Sequence, residues 1–173
     1  MTEQQPPSSR VRVGGADVNR GTVVIVARFA VGWSALGFVA VLAFALLGLP
    51  QLGETVELDL PGRGPNADFP VNAVGLVVVG IAVVALALLA SIAAVLLSGS
   101  APGFAYVTAA VVCVVVPGLA VEVAGNGIAE LARGGAPAGN FAATPYLSIL
   151  ATALGAFSIF GAIRLARDGK ALG

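Results

Sequence analysis

The chain has 173 residues, 58% hydrophobic and only 10% charged, with a formal net charge of zero, no histidine and a single cysteine. Soluble domains carry about 25% charged residues, so this chain cannot cover a water-facing surface, and a lipid bilayer is its natural solvent. Zero net charge gives no electrostatic pull toward nucleic acid, the missing histidine removes His-ligated haem, most zinc sites and the commonest general base, and Cys113 alone can form no intrachain disulfide, CxxC pair or thiolate cluster. Eight arginines against one lysine, with abundant Ala, Gly and Val, fit a high-GC bacterial genome.

Residues 1–21 are polar, with Pro6-Pro7-Ser8-Ser9 and Gly14-Gly15. They bury too little apolar surface to offset their ordering entropy and read as a disordered N-terminal tail. The first apolar run, 22–49, is broken by Arg28, Trp33 and Ser34. Ala43-Phe44-Ala45 has the form of a signal-peptidase site, but a signal h-region is about 7–15 residues and this run is far longer, so it reads as a retained span. Arg28 lies about two turns into the run; its side chain is expected to snorkel to the membrane edge, with the hydrocarbon span starting near Phe29.

The first loop, 50–70, carries strand grammar. Val56, Leu58 and Leu60 alternate with Glu57 and Asp59. Turn residues then crowd Pro61-Gly62-Arg63-Gly64-Pro65-Asn66 before Asp68, Phe69 and Val71. A β-hairpin is the economical reading, with Pro70 on an edge. Glu57 and Asp59 provide too few oxygen ligands for calcium; they keep an edge strand soluble and, with Arg63 and Asp68, offer a charged surface to a partner.

The second span is 71–97, and the short uncharged stretch 98–103 makes it an antiparallel neighbour of the third, 104–121. Pro117-Gly118 predicts a bend, either a hinge or a static accommodation of a neighbouring helix. Cys113 reads as a small packing residue. Glu122 closes the third span as a charge at the membrane edge, so that no carboxylate is expected in mid-span. In the second outer loop, 122–144, Asn126 is expected to cap a short amphipathic helix that Gly134 ends. Ile128, Leu131 and Ala132 would share its apolar face, and Glu130 and Arg133 would pair at i, i+3. The fourth span is 145–165, followed by a tail, 166–173. The echo between Arg63-Gly64 and Arg133-Gly134 reads as chance likeness between glycine-rich loops.

Arginine placement sets the orientation. Arg10, Arg12, Arg20 and Arg28 lie at one end of the bundle with Arg164, Arg167 and Lys170; only Arg63 and Arg133 lie at the other, where most carboxylates gather. Both termini are thus expected in the cytoplasm. Small-xxx-small pairs at Ala30/Ser34, Ala87/Ser91, Ala90/Ala94 and Ala151/Gly155 allow close helix packing.

The fold class expected is an all-α membrane protein: a four-transmembrane-helix bundle with a small extracytoplasmic β-hairpin and a short amphipathic outer helix. Four spans with a strand-like first outer loop are similar in outline to claudin-type proteins, without the tryptophan and paired cysteines of their loop. The first helix has no counterpart to the mid-span glutamate of small multidrug transporters, and the cysteine pairs of vitamin K epoxide reductase-like enzymes are missing. The function expected is therefore non-enzymatic and cofactor-free: a plasma-membrane accessory or scaffold subunit, in contact with the lipid bilayer, that binds a membrane-protein partner or copies of itself through its outer loops, with Glu57, Asp59, Arg63, Asp68, Glu130 and Arg133 as the contact residues. The alternative is a small oligomeric transporter or channel component hinged at Pro117 and Gly118; a lipid-modifying enzyme using Glu122 or Glu130 ranks last.

Overall fold

The computed structural model describes residues 10–13, 16–58, 69–134 and 144–168. Four long helices dominate: α1 (Arg20–Leu47), α2 (Ala73–Leu97), α3 (Pro102–Arg133) and α4 (Thr144–Asp168). Each contains a stretch long and apolar enough to cross a membrane, with window hydropathies from 1.8 to 3.0. The chain is thus built as a multi-pass membrane protein. Valine-rich runs such as these favour strands in water, but in lipid a helix satisfies every backbone group within its own segment.

Local chemistry sets the helix ends. The Asn19 side chain accepts from Gly21 N (3.3 Å) at the start of α1, and that of Asn72 from Gly75 N (2.8 Å) at the start of α2. Pro102 occupies the first turn of α3, where its missing N–H costs nothing. Gly134 ends α3 at φ 61°, a left-handed conformation that favours glycine, and its N–H returns to Glu130 O and Leu131 O.

Close contacts fix the directions. Along α1, Gly37 meets Val116 and Ala120 of α3, and Phe44 further on meets Gly127, so the two helices run parallel. Ser34 faces Ser91 while Gly37 faces Val84, so α2 runs antiparallel to α1. Gly118 meets Ser148 and Thr152, and Gly125 meets Thr144, so α4 runs antiparallel to α3. Helices α1 and α3 each pack against all the others, whereas α2 and α4 flank them without substantial contact with each other.

Two small antiparallel sheets close the ends. Strands β3 (Thr55–Leu58) and β4 (Phe69–Asn72) pair with Val56 opposite Val71 and Glu57 opposite Pro70. This is the hairpin expected from the alternation. Val56 is buried, β3 packs against α3, and Ala73 N donates to Glu54 O (3.0 Å) at the hairpin base. At the opposite end, β1 (Arg10–Val13) pairs with β2 (Ala16–Asn19) inside the tail expected to be disordered. Composition argued for disorder there, but Gly14-Gly15 between two short alternating runs is a hairpin dipeptide. Residues 1–9, 14–15 and 169–173 of the two tails lie outside the described residues.

The largest departure concerns α3. The helix does not stop at 121: it continues unbroken to Arg133, and the separate amphipathic outer helix is its last turns. Asn126 is therefore no cap. It is fully buried inside the helix, where its side-chain amide donates to Glu122 O (2.8 Å) and to Glu122 Oε2 (2.9 Å). With its amide satisfied on its own helix, Asn126 does not break it.

Candidate functional site

The α1–α2–α3 core is built from small side chains. Ser34 and Ser91, both buried, lie 3.1 Å apart across the α1/α2 interface. Ser34 Oγ also lies 2.8 Å from Ala30 O and Ser91 Oγ 2.7 Å from Ala87 O. Each hydroxyl has one proton, so two protons serve these three contacts. The expected small pairs Ala30/Ser34 and Ala87/Ser91 thus provide polar attachment as well as close approach.

Helix α4 adheres to α3 in a similar way. Pro117, buried inside α3, lacks the N–H that would otherwise bond Cys113 O. Gly155 of α4 packs directly on that carbonyl: a Cβ there would overlap Cys113 O and stand 3.0 Å from Pro117 Cγ. Ser148 Oγ donates to Gly118 O (3.2 Å) on the neighbouring step. The Pro117-Gly118 step is thereby seated against α4 on both sides.

The α4/α1 seam is different. Trp33 Nε1 donates to Ser158 Oγ (3.1 Å), and no other hydrogen bond joins these helices among the described residues. Above and below this bond the seam opens. A cavity of about 450 Å³ is lined by Arg28, Phe29, Gly32, Trp33, Leu36 and Ser158. A second, of about 300 Å³, begins at the same Trp33 and Leu36 and is backed by Ala120 and Ala124 of α3 and by Ala151 of α4. Together they form a lateral, almost wholly apolar groove with one arginine at its end. In the sequence, Trp33 reads only as an interruption of an apolar run. An indole in mid-span needs a partner for its N–H, and that was the available signal.

Glu122 occupies another face. Val123, its neighbour, packs against Gly80, which lies about two turns into α2. Glu122 is therefore set well back from the end of α3, which runs about three more turns. It is half-buried. By helical spacing it shares a face with Val111 and Val115, 55% and 51% exposed, on the side where α2 and α4 leave a gap. This carboxylate, bonded to the buried Asn126, is the most deeply placed ionisable group near that face.

The remaining candidates disperse. Glu130 and Arg133 form the expected i, i+3 pair, Nη2 to Oε2 at 2.9 Å, both partly buried. Glu57 is in β3, and Asp59, Arg63 and Asp68 lie outside the described residues. Arg28 is exposed on α1 at the far end of the bundle from Glu122. No protein-family model matches the chain, and no curated protein or solved structure is found to be similar to it.

Proposed function

We propose that the chain is a non-enzymatic accessory or scaffold subunit of a bacterial plasma membrane, with both termini cytoplasmic, that binds another integral membrane protein. The placement of Glu122 carries this reading. An ionisable side chain set within a spanning helix marks function by default. Glu122 lies on an open apolar face beside Val111 and Val115, with Asn126 as its hydrogen-bond donor. A partner helix laid into the α2–α4 gap could donate a second hydrogen bond while covering both valines. The β3–β4 hairpin packs on the same end of α3 and would extend the contact outside the membrane. The arginines of the two tails and of α1 and α4 support the orientation by the positive-inside rule.

Affinity purification in mild detergent tests this. A stoichiometric membrane-protein partner is expected with the natural chain, lost in Glu122→Leu and weakened in Glu57→Gln/Asp59→Asn. A chain that purifies alone, or a partner retained unchanged in Glu122→Leu, overturns the reading. The second reading, an oligomeric transporter or channel component, draws on the position of Glu122 about one turn beyond Pro117-Gly118. It requires ion flux in reconstituted liposomes that both Pro117→Ala and Glu122→Gln abolish.

A further inference from the structure

We propose that the groove between α1 and α4 is a binding site for one anionic phospholipid, its phosphate held by Arg28 and Arg164 and an acyl chain lying over Gly32. This does not rest on the accessory-subunit reading.

The register comes from the Trp33–Ser158 bond. Arg28 lies about one and a half turns toward the N-terminus of α1, and Arg164 a similar distance toward the C-terminus of α4. Because the helices are antiparallel, both steps lead the same way, and the two residues stand at one height on adjacent helices. Both residues are exposed, and neither makes an ion pair among the described residues. Arg28 itself lines the inner cavity. One cation at the mouth of an apolar slot, with a second exposed at the same height on the neighbouring helix, complements a phosphate joined to a hydrocarbon tail, and a partner's apolar helix offers them nothing.

The slot has the dimensions of a tail. From Arg28 to Ala40, the α1 residues lining the two cavities span about 18 Å at 1.5 Å per residue, while one leaflet's hydrocarbon is about 15 Å deep. Its floor is open: a Cβ added at Gly32 meets nothing within 4 Å. The lining offers the tail methylene and ring surface throughout, with the indole N–H already bonded to Ser158.

Trp33 is the only tryptophan and lines both cavities, so its fluorescence reports on the groove. The full chain is reconstituted in phosphatidylcholine vesicles containing increasing fractions of phosphatidylglycerol brominated on its acyl chains, and in the reverse arrangement with brominated phosphatidylcholine. Brominated phosphatidylglycerol is expected to quench Trp33 at lower mole fraction, with about a fivefold difference in relative binding constant contributed by each arginine. Arg28→Gln/Arg164→Gln should equalise the two lipids while the quenching by brominated phosphatidylcholine stays as it was. Gly32→Leu, which has room for its side chain, should remove the preference by filling the slot. Equal quenching by both lipids in the natural chain overturns the proposal, as does a preference that survives either variant. No quenching by either lipid also overturns it, because the groove is then covered by protein, a second copy or a partner.

Discussion

Helix α4 is attached to the bundle along two seams that differ in kind. Against α3 it lies so close that Gly155 touches the backbone at Cys113, Gly118 meets Thr152, and Ser148 bonds the carbonyl of Gly118. Against α1 it is held by one indole–hydroxyl bond between two cavities. The same contrast appears between two glycines little more than a turn apart on α1. A Cβ at Gly37 would stand 3.0 Å from Val116 Cγ1, whereas a Cβ at Gly32 meets nothing within 4 Å. A small residue in a spanning helix thus marks close packing in one place and an open space in another, and only the neighbour decides which. In lipid, where no hydrophobic drive pulls helices together, the close seam supplies most of the packing energy, and the loose one leaves room for a ligand.

The largest expected effect breaks the close seam. Gly155→Ala places a methyl group into Cys113 O and beside Pro117. The obstacle is backbone, so α4 must shift as a whole. Overpacking of this kind costs about 1–3 kcal/mol, and the upper part of that range is expected because neither helix can yield by a rotamer change. Unfolding of the purified protein in mixed micelles, titrated with denaturing detergent, should show the loss; an unchanged midpoint would mean that the α3/α4 approach is looser than this geometry.

A smaller effect is expected at the loose seam. Trp33→Phe retains an aromatic body and removes the N–H that reaches Ser158. Ser158 keeps a partner, since its hydroxyl also donates to Gly155 O at 2.6 Å. Nothing is left buried and unsatisfied, and polar contacts between membrane helices average about 0.6 kcal/mol. A loss of about that size is expected in the same titration. A loss as large as that of Gly155→Ala would show that the two seams are energetically alike.

The contrast also separates what the sequence reveals from what it conceals. Four spans were legible because apolar length alone defines them, and the β3–β4 hairpin was legible because Val56, Leu58 and Leu60 alternate with acids. The course of α3 beyond 121 was not. Glu122, Asn126 and Glu130 look like loop residues to a reading based on hydropathy, yet Asn126 is satisfied by Glu122 one turn back and Glu130 by Arg133. Polar side chains that bond within their own helix let it continue through a stretch whose composition argues against it. The groove was hidden for another reason: nothing in the string tells Gly32 from Gly37, and the space above a residue belongs to the helix opposite.

The smallest effect, and the one that turns on sign, is Gly32→Ala. Glycine inside a helix is destabilising by roughly 0.5–1 kcal/mol relative to alanine, because it loses more conformational freedom on ordering. At most positions in a tight bundle that gain would be cancelled by a clash, as at Gly37 with Val116 and Ala120 around it. At Gly32 the added methyl points into the open groove, so the propensity gain is expected to survive as a stabilisation of up to about 1 kcal/mol. A single methyl is also too small to fill a slot of about 450 Å³, so lipid quenching of Trp33 should persist in this variant although Gly32→Leu removes the preference. Destabilisation by Gly32→Ala would mean that α4 closes over α1 in the membrane and that the seam is not open. Stabilisation with quenching retained would separate the helix's own preference from the use made of the space beside it.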